Sequence, residues 1–112
     1  MEIYKLVDFT RGWLIGDFEP SLIKTKDFEV GVLFHPKGEV WPAHYHKIAD
    51  EYNVLLSGKM KICNEDLSEG DVFVIRKGEV ADPEFYEDCK ILTIKIPSVI
   101  GDKYILGEKD EL

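Results

Sequence analysis

Two histidines and a glutamate of this chain lie close together and are of the types that bind metal ions. His44 and His46 are separated by one residue, and Glu51 follows shortly after them. Because side chains alternate faces along a β-strand, the two imidazoles would project to the same side, about 7 Å apart. Glu51 would face the other side of a straight strand, so a turn is expected within the polar residues 47–50. After such a turn Glu51 can lie beside the histidine pair.

These three side chains have the donor types of an open metal site. Two imidazoles and one carboxylate leave coordination positions free and suit Fe(II), and also Mn, Ni or Zn. The same residues could instead be unrelated polar side chains of a β-protein, and their spacing alone leaves both interpretations open. Gly38 and Gly58 bound the segment and mark places where the backbone bends or another strand approaches closely.

The whole segment resembles the first sequence motif of the cupin family. The match covers every fixed position of that motif, namely Gly38, His44, His46, Glu51 and Gly58. Residues 70–78 resemble the opening half of the second cupin motif, with Arg76 where proline is usual. The resemblance implies an all-β, cupin-type jelly-roll barrel formed as a single domain over residues 1–112. It also implies that His44, His46 and Glu51 are the ligands of a divalent transition metal.

The second motif departs from the family pattern at two positions. The third metal-binding histidine of cupins falls at Ala81 in this chain, and the asparagine expected four positions later is Phe85. Loss of one imidazole should weaken metal binding, since ligands and their supporting residues each commonly change affinity ~10-fold or more. Three possibilities stay open: a metal held by three side chains and water, a substitute ligand, or a site that holds a small molecule without metal.

Two residues are candidates for a substitute ligand. Asp82 adjoins Ala81, but a regular strand would point it outward, so a β-bulge would be needed to turn it inward. The following Pro83 favours irregular backbone at this point. His35 is the only other histidine, and its place at the far end of its own strand predicts a surface or rim position.

Further side chains near the two motifs are expected to line a pocket. The alternation that turns His44 and His46 inward would also turn the two alternate residues before them inward. Tyr52 could line the mouth of the pocket or pack against the sheet, as aromatic residues of β-proteins usually do. The predicted pocket residues are Val40, Pro42, Tyr52, Ala81, Asp82 and Phe85.

Turn residues punctuate the chain at short intervals, and the runs between them are rich in β-branched and aromatic residues. Many short strands without longer helical periodicity predict an all-β sandwich or barrel. This expectation is independent of the histidines and agrees with the cupin resemblance. Strands are predicted over residues 29–34, 52–56, 59–62, 71–75 and 90–96, with Met60 and Ile62 facing inward.

The N-terminal residues carry a prediction about assembly. Residues 2–7 alternate as an edge strand would, and an unpaired edge can accept a strand of a second subunit. The cupin resemblance also implies a homodimer, which is our prediction. A monomer whose first strand closes its own sheet is the alternative.

Composition excludes several classes of partner. The chain has 112 residues, enough for a core of its own, and a net charge of −8. This charge argues against nucleic acids and anionic membranes as partners. The N-terminus shows neither a secretory signal nor a membrane-spanning stretch, so a cytoplasmic location is expected. Residues 109–112 spell the ER-retention signal, which we interpret as coincidence because nothing predicts entry into that compartment.

Three classes of function remain. A metal-dependent oxygenase, isomerase or lyase acting on a small polar molecule is favoured, because open metal sites suit chemistry. The main alternative is a non-catalytic module that holds a sugar or an organic acid beside a degenerate metal site. A purely structural or regulatory dimer is the third. Cys63 and Cys89 are too few and too far apart to predict a disulfide framework or a metal pair.

Overall fold

The chain folds almost entirely into short β-strands, seen in a computed structural model that describes residues 1–107. Two single-turn 3₁₀ helices, Leu6–Asp8 and Thr10–Gly12, precede the first strand. The strands are β1 (Trp13–Gly16), β2 (Ile23–Lys24), β3 (Glu29–His35), β4 (His44–Tyr45), β5 (Asp50–Ser57), β6 (Lys59–Ile62), β7 (Glu65–Ser68), β8 (Val72–Ile75), β9 (Glu84–Phe85), β10 (Cys89–Ile96) and β11 (Tyr104–Ile105). No helix in residues 1–107 is long and apolar enough to cross a membrane.

A six-stranded sheet with the order β2-β1-β3-β10-β5-β8 forms one wall of the barrel. Its three long strands are antiparallel, and Lys95 of β10 lies directly between Glu29 of β3 and Glu51 of β5. Directly opposed residues of neighbouring strands point to the same face of a sheet. Glu29, Lys95 and Glu51 therefore form a row on one face.

Two smaller sheets, β7-β6-β9 and β11-β4, form the opposite wall. They are joined where the N–H of His44 donates to the carbonyl of Ala81 at 2.9 Å, and the N–H of Ala81 donates back at 2.7 Å. This reciprocal pair brings the first histidine of the motif beside the position where the cupin pattern has its third histidine.

The core lies between the walls, and alternation along the strands decides which side chains enter it. In β6, Met60 and Ile62 are 1% and 7% exposed, whereas Lys59 is exposed, as predicted from their period of two. Cys89 is buried and Cys63 is exposed, and both are free thiols. The buried cluster consists of Leu55, Met60, Ile62, Ile75, Ala81, Phe85, Cys89 and Ile91.

The connection from β5 to β6 depends on Gly58. Its φ is +98°, a left-handed conformation that side-chain-bearing residues rarely adopt. A Cβ at this position would overlap the carbonyl oxygen of Asp88 and lie 2.7 Å from Sγ of Cys89. The backbone therefore approaches the start of β10 more closely than any residue with a side chain would permit.

The predicted strand over residues 2–7 is not formed, which corrects the sequence-based expectation. The N–H groups of Asp8 and Phe9 donate to the carbonyls of Lys5 and Leu6 in a 3₁₀ turn instead of to a neighbouring strand. Within residues 1–107 the strand at the edge of the sheet beside β1 is β2, not residues 2–7. The segment instead places Leu6 against the cavity and buries Phe9. Residues 109–112 lie outside the described residues.

Candidate metal and ligand site

A cavity of about 860 Å³ lies between the six-stranded sheet and the two smaller sheets. Its volume falls in the range of ~300–1000 Å³ that is typical of small-molecule sites. One wall carries His35 of β3, Glu51 of β5 and Lys95 of β10. The other wall carries His44 of β4 and Phe85 of β9. The cavity thus combines apolar surface with a few convergent polar groups.

The two motif histidines enter this cavity together. Their ring centres are 5.7 Å apart, with the ring planes nearly perpendicular. Nδ1 of His44 lies 3.1 Å from the carbonyl oxygen of Pro42. Since a carbonyl oxygen only accepts, Nδ1 must be the protonated nitrogen, which leaves a lone pair on Nε2. Metal-binding histidines commonly have this same arrangement, in which the second nitrogen donates to a backbone carbonyl.

Glu51 reaches the same cavity because the chain turns between His46 and β5, as the sequence predicted. Its Oε2 atom lies 4.0 Å from Nδ1 of His46. As the side chains stand, residues 1–107 contain no group of three or more His, Cys, Asp or Glu side chains that could hold a metal ion. The donor types therefore fit a divalent transition metal, but ion binding would require Glu51 and the imidazoles to draw closer.

The turn between His46 and Glu51 is held by a buried carboxylate. Asp102, which is 6% exposed, accepts hydrogen bonds from the backbone N–H groups of residues 47–49 over 2.9–3.2 Å. One side chain thus satisfies three successive N–H groups that no strand partner serves. Sequence reasoning missed Asp102, since it lies far along the chain from the turn that it supports and no local pattern marks it.

Two of the predicted pocket residues line the cavity. Ala81 is buried, and its backbone is bonded to His44 as described above. Phe85 is also buried, and its ring stacks on that of His35 with the centroids 4.4 Å apart. Apolar side chains thus stand where the cupin pattern places a histidine and an asparagine.

The structure places two predicted pocket residues of the first motif outside the cavity wall. Val40 is 78% exposed, and Pro42 is exposed apart from the carbonyl that orients His44. The alternation argument failed here because β4 contains only two residues and residues 41–43 are not in a strand. The alternation of inward and outward side chains therefore does not continue from His44 to the residues before it.

The other two predicted pocket residues also lie outside the wall. Tyr52 follows Glu51 directly in β5 and so faces the opposite side, where its hydroxyl accepts a hydrogen bond of 2.8 Å from Arg76. Asp82 is exposed and accepts a hydrogen bond from the N–H of Cys63 at 3.1 Å. The side chain of Asp82 does not turn inward, so it is not placed to serve as a substitute ligand.

Comparison with solved structures shows which known architecture this is. DMSP lyase DddQ from Ruegeria pomeroyi DSS-3 has a TM-score of 0.71 and 19% identity, over 88% of this chain and 52% of its own. An uncharacterized conserved protein with a double-stranded beta-helix domain from Klebsiella pneumoniae has a TM-score of 0.67 and 17% identity, over 96% and 99%. A cupin-2 domain containing protein from Shewanella frigidimarina NCIMB 400 has a TM-score of 0.53 and 24% identity, over 64% and 72%. The chain has the cupin fold.

The likeness concerns architecture and confirms the predicted all-β jelly roll. The chain spans about half the length of the DMSP lyase, 52% of that chain. No protein-family model and no curated protein matches the sequence. Identities of 17–24% show a shared fold. They do not show that this chain binds the substrates of those proteins.

His35 lines the cavity, whereas the sequence predicted a surface or rim position. Its Nδ1 lies 2.7 Å from Oε1 of Glu39, and the indole N–H of Trp41 donates to the same oxygen. Burial alone would raise the pKa of Glu39, but the two hydrogen bonds outweigh it and lower that pKa below its ordinary value. The pairing of His35 with Glu39 could have been predicted from the sequence, because the two residues are four apart on either side of the turn at 36–38.

Two lysines also line the cavity, and sequence reasoning missed both. The ammonium of Lys103 lies 3.5 Å from the ring centre of Trp41, and that of Lys95 lies 5.2 Å from the ring centre of Trp13. Burial lowers the pKa of Lys103, and the charges of Lys95 and Arg11 lower it further. For Lys95 a signal existed, since it follows the buried Ile91 and Thr93 at intervals of two in β10.

Both motif histidines are held towards the neutral form. Burial lowers the pKa of His44 and of His46 below the ordinary value of 6.5. The charge of Lys95 lowers the pKa of both further, whereas Glu51 opposes the shift. The neutral imidazole is the form that binds metals, so the cavity favours the donor state.

These lowered pKa values predict a loss of stability on acidification. The unfolded chain takes up protons at His44 and His46 near pH 6.5, where the folded chain does not. The contribution of the two neutral histidines to the free energy of unfolding is therefore complete above about pH 6.5. It is lost as the pH falls through their lower pKa values in the folded chain. We expect the wild-type protein to lose more unfolding free energy between about pH 8 and about pH 5.5 than a His44→Gln, His46→Gln variant, measured by urea denaturation. Equal losses in the two proteins would contradict this expectation.

Proposed function

We propose that this small cupin is a metal-dependent enzyme of the oxygenase, isomerase or lyase type that acts on a small polar molecule. The observation that supports this most is the entry of His44, His46 and Glu51 into one cavity, with Glu51 4.0 Å from His46. These residues would hold Fe, Mn, Ni or Zn. The ion would supply Lewis acidity or oxygen activation.

The chain's own residues prepare the site for such chemistry. The carbonyl of Pro42 orients His44, and Asp102 fixes the turn that presents Glu51. Ala81 offers no donor, so the site stays open on that side to water or substrate. His35, oriented by Glu39, lies in the same cavity and would move a proton at a bound substrate.

Metal content is the direct test of this proposal. Protein purified without chelator should contain close to one equivalent of Fe, Mn, Ni or Zn by elemental analysis. A His44→Ala, His46→Ala variant should lose this metal, because two of the three donors are gone. The third histidine provides a matched control, since His35→Ala removes an imidazole from the same cavity but outside the donor set. Metal-free wild-type protein, or equal loss in the control, would contradict the proposal.

A second candidate is a binding protein that holds a sugar or an organic acid without metal. It is favoured by the buried Ala81 and by the lack of a three-donor group among the residues that the structure describes. Native mass spectrometry distinguishes the two proposals. A small molecule that co-purifies with metal-free protein supports the binding function, and a stoichiometric metal supports the enzyme.

Assembly and location also remain proposals. We propose a homodimer, supported by apolar side chains of the N-terminal segment that are exposed, including Ile3 at 78% and Val7 at 83%. Sedimentation velocity should give twice the monomer mass, and an Ile3→Ser, Val7→Ser variant should shift towards monomer because it removes apolar surface. A wild-type protein that stays monomeric at high concentration would contradict the proposal. A cytoplasmic location is proposed on the two free thiols, which suit a reducing compartment.

A further inference from the structure

The cavity carries two lysine ammonium groups that form no close ion pair, although Lys95 lies between Glu29 and Glu51 in the sheet and the charge of Glu51 also acts on Lys103. Within residues 1–107 neither Lys95 nor Lys103 forms an ion pair. Each lies over an indole ring instead, Lys103 over Trp41 and Lys95 over Trp13. A cation held in a partly buried cavity is favoured further by a bound anion that it can pair with.

The side chains that line the cavity differ in net charge from the protein as a whole. The chain has a net charge of −8, yet the side chains that line the cavity include three cations, Arg11, Lys95 and Lys103. They include two carboxylates, and one of these, Glu39, already accepts hydrogen bonds from His35 and Trp41. An acidic protein thus encloses a cavity whose described lining is on balance positive when its histidines are neutral.

Lys103 is held in place by both of its neighbours. Asp102 is bonded to the turn at residues 47–49, and Tyr104 pairs with Tyr45 in β11 and stacks on its ring with the centroids 5.6 Å apart. Fixing the backbone on both sides reduces the entropy lost when a ligand binds the side chain. Lys95 is likewise fixed at the centre of the six-stranded sheet.

We propose that Lys95 and Lys103 bind the carboxylate of a small organic acid, whose body lies between Trp13 and Trp41 beside the histidine pair. The inference rests on the proposed function and names the substrate class for that site. A carboxylate fits better than a phosphate, because Glu39 and Glu51 in the same wall repel a second negative charge. Burial is the main cause of the lowered pKa of Lys103, and the charge of Glu51 opposes this shift only in part.

Acids and their neutral amides test the proposal on metal-free protein treated with EDTA. The protein has two tryptophans, and each lies beside one of the two lysines, so indole fluorescence reports on both. We expect phenylacetate or glucuronate to change the fluorescence saturably at millimolar concentrations. Phenylacetamide and glucuronamide should bind at least about tenfold more weakly. Equal binding of acid and amide, no binding by either acid, or tighter binding of phenyl phosphate than of phenylacetate would overturn the proposal.

Variants assign the effect to the two lysines. Lys103→Met and Lys95→Met should each weaken acid binding about tenfold, and Lys103→Arg should retain it because the charge remains. Lys90→Met is the matched control, since Lys90 lies on the same strand as Lys95 but is exposed and outside the cavity. Its acid binding should be unchanged, and a loss equal to that of Lys103→Met would overturn the proposal.

This test is independent of the metal. The titration uses metal-free protein, and metal content is measured separately. A protein that holds metal but binds no acid would refute the carboxylate site and leave the enzyme proposal standing. A protein that binds acids but no metal would do the reverse.

Discussion

Asp102→Ala will lower the free energy of unfolding by about 4 kcal/mol, because it leaves three buried or partly buried N–H groups without an acceptor. The carboxylate of Asp102 is the hydrogen-bond partner of residues 47–49, which form the turn between His46 and Glu51. Loss of a partner costs ~1–3 kcal/mol for each buried donor left unsatisfied. The same variant should weaken any metal or ligand binding at the cavity, since the turn positions two of the proposed donors.

Urea denaturation measures the effect, and two further variants define it. Asp66→Ala is the matched control, because Asp66 is an exposed aspartate of β7 and its loss should change stability by no more than about 0.5 kcal/mol. Asp102→Asn should fall between the two, since it keeps one acceptor oxygen and turns an amide N–H₂ towards backbone donors. An Asp102→Ala protein as stable as Asp66→Ala would show that the turn holds without its carboxylate.

Gly58→Ala will cost about 3 kcal/mol or more of unfolding free energy, from steric overlap added to backbone strain. The φ of +98° is unfavourable for alanine, and the new methyl group would meet the carbonyl of Asp88 and Sγ of Cys89. The carbonyl belongs to the backbone and cannot rotate away. We therefore expect β6 and β10 to be forced apart at this point.

Gly78→Ala separates the two contributions. Gly78 has a similar φ of +87°, but a Cβ there would have nothing within 4 Å. Its substitution should cost only the conformational strain, ~1–2 kcal/mol. Chemical denaturation of both variants gives the steric part as their difference. Equal losses would mean that the approach of Asp88 to Gly58 relaxes without cost.

The sequence predicted those parts of the fold that depend on local pattern. Predicted strands over residues 29–34, 59–62 and 90–96 correspond to β3, β6 and β10. Such strands can be predicted because apolar and polar side chains alternate along a half-buried strand. The entry of His44, His46 and Glu51 into one cavity was predictable from their spacing and one turn, although they do not form a three-donor group as they stand. Whether the three bind metal stays a prediction.

The errors arise where an alternating pattern was applied to a segment that is not a strand, or was not applied to one that is. Residues 2–7 have a strand-like pattern, but the chain enters a 3₁₀ turn at Leu6–Asp8 and forms no strand before β1. Val40 and Pro42 were placed by alternation in a segment that is not a strand. Tyr52 could have been placed correctly, because it directly follows Glu51 and must face the other side of β5.

Two of the residues that sequence reasoning missed, Asp102 and Lys103, have a different cause. Asp102 and Lys103 reach the cavity only because β11 pairs with β4, a contact between parts of the chain far apart in sequence. Neither residue belongs to a motif that local spacing could reveal. His35 was predicted to lie on the rim because it is at the far end of β3. That prediction did not consider the turn after β3, which brings Glu39 within hydrogen-bond distance of His35.

Asp102 and Lys103 are adjacent in the chain, which limits the changes of sequence that this barrel can accept. Asp102 accepts hydrogen bonds from the turn between His46 and Glu51, and Lys103 lines the cavity. A single insertion or deletion beside them would therefore displace both side chains. Each side chain can be substituted independently, but the register of the segment cannot shift. Variation in what the barrel accepts is therefore expected to arise by exchange of side chains along this segment, and its length should stay constant.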